Sequence, residues 1–218
     1  MGVTYEAGAA LARLCFTAFA DWRVEGKDAV PPRGPLIVVS NHLSNADPPF
    51  LAASIPRRLH FMGKRDLFAI PPVGTLMRAI GVHPMNREGV DVEALRWNLD
   101  LLKNDGVVVL FPEGTRSRTP GMRQGMRGVA YLAIKSQAPV LPVALTGTEK
   151  IGSYARLPVP LCSVSVRIGQ PFSLPMVEGR TPRPVLDDLT TMIMSRVAAL
   201  LPPEYRGHYA TAEPATKG

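Results

Sequence analysis

The sequence predicts an α/β fold: a mostly parallel mixed sheet flanked by helices on both faces, with an N-terminal amphipathic helix. Three observations predict it. Short apolar, β-branched runs (Leu36-Ile37-Val38-Val39, Val107-Val108-Val109-Leu110-Phe111 and Val140-Leu141-Pro142-Val143-Ala144-Leu145) have the composition of strands covered on both faces. Segments of helical periodicity stand between such runs, as crossovers joining parallel strands require. At 218 residues and 46% hydrophobic content, the chain can bury a real core and lies outside the disordered class. Residues 1–210 read as one domain, and the small polar residues 211–218 as a disordered tail.

Over residues 5–22, Leu11, Leu14, Cys15, Ala18, Phe19 and Trp22 share one helical face, opposite Arg13, Thr17 and Asp21. A breaker cluster, Val30-Pro31-Pro32-Arg33-Gly34-Pro35, precedes the first strand at 36–39. Polar residues 40–47 follow, and Pro48 suits the first position of a helix. Leu95, Leu99 and Leu102 stripe a helix that Asp105-Gly106 ends; the second strand, 107–111, comes next. Residues 129–135 read as helix. Pro142 assigns the third strand an edge or end position. Val164-Ser165-Val166-Arg167-Ile168 alternates as an edge strand does, and residues 186–201 close the chain as a helix through Leu189, Ile193, Val197 and Leu200.

The balance of 25 basic against 18 acidic residues, net +7, suits an anionic partner. Nucleic acid is disfavoured among such partners: aromatics are 6%, and no helix-turn-helix, RNA-stacking or zinc pattern is present. Cys15 and Cys162 match no metal spacing and imply a reducing compartment. Arg13 and Asp21 interrupt the best apolar window below the roughly 18 residues of a membrane span, and no secretion signal precedes it. The expectation is a cytoplasmic chain.

In α/β folds, ligands collect beyond the carboxyl ends of the strands, and two polar segments directly follow buried strands. The first holds Asn41-His42 and Asp47. His42 and Asp47 would lie 140° apart on a continuous helix but can meet in a turn. A carboxylate on one ring nitrogen fixes the tautomer and stabilises the imidazolium formed when the other takes a proton. Asp47 before Pro48 also makes an ordinary helix cap. No Gly-x-Ser-x-Gly elbow accompanies the pair, which points to a substrate hydroxyl as the group deprotonated. The second segment is Phe111-Pro112-Glu113-Gly114-Thr115-Arg116-Ser117-Arg118. Gly114 permits close backbone approach, Thr115 and Ser117 carry hydroxyls, and the Arg116 fork matches phosphate oxygens. Glu113 could pair with an arginine, bond a substrate hydroxyl or cap a turn. Lys64 and Arg87 could complete an anion cradle, or be solvated charges.

Together these residues resemble the glycerophospholipid acyltransferase superfamily, of the 1-acylglycerol-3-phosphate acyltransferase (lysophosphatidate acyltransferase) type. Four blocks match in order: Asn41-His42-x4-Asp47; residues 81–87, preceded by 63–67; residues 111–117; and residues 140–145. The resemblance implies transfer of a fatty acyl group from acyl-CoA or acyl carrier protein to the sn-2 hydroxyl of lysophosphatidate, giving phosphatidate. The thioester is the co-substrate, with no further cofactor and no metal. His42 would be the general base and Asp47 its orienter, and attack would be direct, without an acyl-enzyme. Lys64, Arg87, Glu113, Gly114, Thr115 and Arg116 would bind the acceptor's glycerol phosphate. A lipid acceptor further implies a peripheral protein on the anionic inner face of the cell membrane, with the helix at 5–22 as a candidate contact that could equally pack on the sheet. The alternatives are the same chemistry on glycerol 3-phosphate or another lysolipid, a non-enzymatic basic binding module, and metal-assisted hydrolysis through His42, Asp47 and Glu113.

Overall fold

The structure, a computed structural model, describes residues 2–86, 91–117, 121–177, 179 and 181–211. Seven strands form its sheet: β1 (Asp21–Glu25), β2 (Leu36–Ser40), β3 (Leu59–Lys64), β4 (Val82–Met85), β5 (Val107–Leu110), β6 (Val140–Thr146) and β7 (Ser163–Ile168). Six helices accompany them: α1 (Gly2–Phe19), α2 (Asp47–Ser54), α3 (Pro71–Ala79), α4 (Val92–Lys103), α5 (Gly128–Ser136) and α6 (Arg183–Ala199). The strand order is β1-β7-β6-β2-β5-β3-β4, and every neighbouring pair is parallel except β6 with β7. The α/β class with a mostly parallel mixed sheet is therefore as the sequence predicts.

The period-2 alternation of the strands divides the core into two layers. Leu36, Val38, Val107, Val109, Leu141 and Val143 point to the side covered by Phe16 of α1 and by Phe50 and Leu51 of α2. Ile37, Val39, Val108, Val140 and Ala144 point to the other side, under Leu102 of α4, Leu132 of α5, and Ile193 and Val197 of α6. Both faces of β2 are thus buried, which is why residues 36–39 are all apolar rather than alternating.

Three sequence expectations are corrected. The first helix ends at Phe19 rather than reaching residue 22, because 21–25 leave it to pair with β7. Its core residues are Tyr5 and Phe16, whose ring stacks on Phe50 at 3.8 Å. Leu11 (62% exposed) and Leu14 (68%) face outward. Second, β7 is interior, since β1 covers its far side. β1 itself is the edge, and its Asp21, Arg23 and Glu25 are the charges that keep an edge from pairing further. Third, Pro142 lies in an interior strand, between β2 and β7. The strand tolerates it because the antiparallel ladder stops at Val143, and Gly169 N–H donates to Pro142 O (2.9 Å) without a return bond. β3, β4 and α3 were not anticipated: His60, Gly63 and Pro84 interrupt the apolar pattern there. Of the expected tail, only Thr211 is described, so residues 212–218 lie outside the described residues. Among the described residues no helix is long and apolar enough to cross a membrane.

Candidate active site

The carboxyl ends of β2, β5 and β6, three adjacent strands, bring the two polar segments together. Just past β2, Asn41 acts as a substitute strand residue. Its Nδ2 donates to Leu145 O (2.9 Å) and its Oδ1 accepts from Leu145 N–H (2.8 Å), so the side-chain amide ties the loop to β6. His42 follows, fixed from three sides by the segment after β5. Its N–H donates to Glu113 Oε1 (2.9 Å), its carbonyl accepts from Ser117 N–H (2.9 Å), and its ring stacks on Phe111 at 4.2 Å.

Asp47 opens α2 and turns back toward this loop. Its Oδ2 meets His42 Nδ1 at 2.7 Å and accepts from Leu43 N–H (2.7 Å) and Ser44 N–H (2.9 Å). The Thr148 hydroxyl donates to Oδ1. An unpaired buried carboxylate costs several kcal/mol; this one, with no exposed surface, is compensated by four donors and by the positive end of α2. The expected meeting of His42 and Asp47 in a turn is therefore present. With Nδ1 held by Asp47, Nε2 has no partner among the described residues. Such a ring can take a proton from a bound hydroxyl and hold the resulting charge.

Glu113 is buried, and its oxygens are engaged by the chain itself: Oε1 by His42 N–H, and Oε2 by Arg123 N–H (2.9 Å) and the Ser117 hydroxyl (3.1 Å). It staples the loop after β5 to the loop after β2. Burial pushes its pKa up, and the N–H groups of Arg123 and His42 and the Ser117 hydroxyl offset only part of that rise. A carboxyl raised in the folded state adds stability below its unfolded pKa and loses it as pH rises through the folded one. The melting-temperature deficit of Glu113→Gln relative to wild type should therefore narrow as pH rises from about 4.5 through that raised value. Parallel melts of the two proteins across this range check it.

Gly114 adopts φ +70°, the left-handed region glycine favours, and a Cβ there would lie 2.6 Å from Met126 Cε. The turn it makes carries Thr115 and the exposed Arg116 into the wall of a cavity of about 340 Å³. Residues 43–46 form a second wall; Glu149, Ile151 and Leu157, in the segment after β6, belong to a third. His42 is not part of this lining, but the cavity runs along both loops that hold it. Arg116 makes no ion pair among the described residues. Lys64, at the carboxyl end of β3, instead pairs with Asp66. Arg87 lies outside the described residues.

Thr148 and Glu149 are site residues that the sequence reading did not single out. The same rule would have found them, since they are the polar pair just past a buried strand. Among the described residues no group of three His, Cys, Asp or Glu side chains is placed to hold a metal ion.

The model of the Acyltransferase family matches residues 21–146, the stretch from β1 through β6. The chain is 34% identical over 131 residues to the 1-acyl-sn-glycerol-3-phosphate acyltransferase BAT2, chloroplastic, of Brassica napus, covering 59% of this chain and 38% of that protein. It is 28% identical over 126 residues to the 1-acyl-sn-glycerol-3-phosphate acyltransferase of Bacillus subtilis (strain 168), covering 57% of this chain and 62% of that one. The crystal structure of the 1-acyl-sn-glycerophosphate (LPA) acyltransferase PlsC from Thermotoga maritima superposes with a TM-score of 0.67 at 26% identity, covering 87% of this chain and 76% of that chain. The matched region is thus well under half the length of the plant relative.

Proposed function

The chain belongs to the Acyltransferase family, and on that premise we propose that it transfers a fatty acyl group from acyl-CoA or acyl carrier protein to the sn-2 hydroxyl of 1-acylglycerol 3-phosphate. The observation that carries this reading is the buried Asp47 carboxylate at 2.7 Å from His42 Nδ1, beside a cavity lined by Arg116.

The phosphate is held by Arg116, with Thr115 beside it and Gly114 shaping the turn; Lys64 and Arg87 are secondary candidates. His42 Nε2 takes the proton of the sn-2 hydroxyl as its oxygen attacks the thioester carbonyl carbon. The tetrahedral adduct collapses to the new ester with cleavage of the carbon–sulfur bond, and the leaving thiolate takes the proton from the imidazolium. No enzyme nucleophile enters. The nearby serine hydroxyls have other partners: Ser40 Oγ donates to Asn41 O and Ser44 Oγ accepts from Ala46 N–H. Glu113 acts as a positioning residue for His42 rather than as a ligand to the acceptor. Orientation of the two substrates supplies about 7–11 kcal/mol of the barrier, and the placed base about a further 10²–10⁴ in rate.

Thiol release from palmitoyl-CoA or palmitoyl carrier protein, dependent on added lysophosphatidate and indifferent to chelator, tests this reading. Release with neither donor would end it. Arg116→Ala should raise the KM for lysophosphatidate about tenfold or more, the effect of one lost charge-assisted hydrogen bond. Unchanged saturation would remove Arg116 from the site.

The lipid acceptor calls for contact with a membrane, and we assign that contact to the outward face of α1 on the anionic inner face of the cell membrane. Leu11 and Leu14 are exposed there, and the chain carries net charge +7. Deleting the helix would strip Phe16 from Phe50, so substitutions are the cleaner test. Leu11→Glu with Leu14→Glu should lower co-sedimentation with anionic vesicles about tenfold or more at unchanged melting temperature; undiminished binding would exclude α1 as the anchor.

A further inference from the structure

The third wall of the cavity carries a carboxylate that the transfer chemistry above leaves without a role. Glu149 Oε1 accepts a hydrogen bond from the Tyr205 hydroxyl at 2.7 Å. Its Oε2 is buried and has no partner among the described residues. His83 Nε2, Asn98 Oδ1 and Thr181 Oγ1 are likewise unpartnered there, but of these residues only Glu149 lines the cavity. A buried carboxylate oxygen cut off from water forfeits a strong hydrogen bond, and such atoms call for an explanation. A ligand that brings an N–H or O–H to this wall restores the bond.

The chemistry of the two substrates decides which one can do so. The acceptor, 1-acylglycerol 3-phosphate, offers an anionic phosphate, which a carboxylate repels, and one hydroxyl, which the reaction requires at His42. The acyl donor offers more. Its pantetheine arm, common to coenzyme A and acyl carrier protein, is uncharged and has two amide N–H groups and a hydroxyl along a chain that starts at the thioester sulfur. The cavity sorts charge in the same sense. Arg116 is available to the anion on one wall, while Glu149 stands on another with the apolar Ile151 and Leu157. Resting on the acyl-transfer reading, we propose that Glu149 Oε2 accepts a hydrogen bond from an amide or hydroxyl group of the pantetheine arm, so that the segment after β6 is the subsite for the thioester donor.

Glu149→Gln tests this with little change of shape. Its carbonyl oxygen still accepts from Tyr205, while the unpartnered oxygen becomes an NH₂ that cannot accept. The KM for palmitoyl-CoA should rise about tenfold, with the KM for lysophosphatidate and the melting temperature unchanged. Palmitoyl ethanethiol ester, a donor with no N–H or O–H, should not distinguish variant from wild type. In calorimetry without acceptor, the unreactive thioether palmityl-CoA should bind the variant about tenfold more weakly. Equal thioether affinity, an equal penalty with both thioesters, or an effect on the lysophosphatidate KM instead would each overturn the subsite. If Glu149→Gln does not fold, Glu149→Asp, which keeps the charge but shortens the reach, gives the same comparison. The two proposals fail separately. A thioether that discriminates the proteins, with no lysophosphatidate-dependent turnover, would refute the assigned reaction and keep the subsite. Turnover with equal thioether affinity would do the reverse.

Discussion

His42→Ala should lower acyl transfer by about 10²–10⁴-fold while the protein still folds. Folding survives because the loop does not depend on the ring. The backbone of residue 42 keeps its bonds to Glu113 and Ser117, and Asp47 keeps Leu43 N–H, Ser44 N–H and the Thr148 hydroxyl. Only the stacking on Phe111 and the bond to Asp47 Oδ2 are lost. Steady-state rates at saturating donor and acceptor, paired with a thermal melt, check the prediction. A folded variant that turns over at near the wild-type rate would remove His42 as the base.

Asp47→Asn should lower the rate by a comparable factor, about 10²–10⁴, for a different reason. An asparagine can place its carbonyl where Oδ2 accepts from Leu43 and Ser44, and turn its NH₂ toward Thr148, so the loop keeps most of its bonds. What it lacks is the negative charge that stabilises His42 once the ring is protonated. Asp47→Ala is harsher. It leaves three buried donors (two backbone N–H groups and the Thr148 hydroxyl) without acceptors, at about 1–3 kcal/mol each. We expect Asp47→Asn to melt near the wild type and Asp47→Ala to lose several kcal/mol. If the two lost activity only in proportion to stability, the carboxylate would be a structural cap and no more.

The central strands and the His42–Asp47 pair were legible in the sequence because each rests on local information. A strand buried on both faces must be apolar at every position, and a histidine five residues before an aspartate can meet it only in a turn. β1, β3 and β4 were not legible. Their stability comes from neighbours distant in sequence, as Asp21–Glu25 shows by pairing with Ser163–Arg167. Which face of the first helix meets the sheet was not legible for a related reason. Both of its sides are apolar, so periodicity alone could not say that Phe16 turns inward while Leu14 turns out. Glu113 shows the same limit at the site. Its place among cationic residues left pairing with an arginine, bonding a substrate hydroxyl and capping a turn all open, and its three partners, one of them 71 positions away, make it a staple between the two loops.

That staple has a bearing on how the site can diversify. The residues proposed to hold the phosphate are chained to the backbone of the proposed base, since Ser117 N–H and Glu113 Oε1 grip either end of His42. Substitutions at 113–117 intended to admit a new headgroup would shift the imidazole at the same time, so selectivity and turnover are inherited together there. Among the described residues, 151–157 make no hydrogen bond to His42 or to Asp47, and libraries aimed at altered substrate choice without loss of speed belong there.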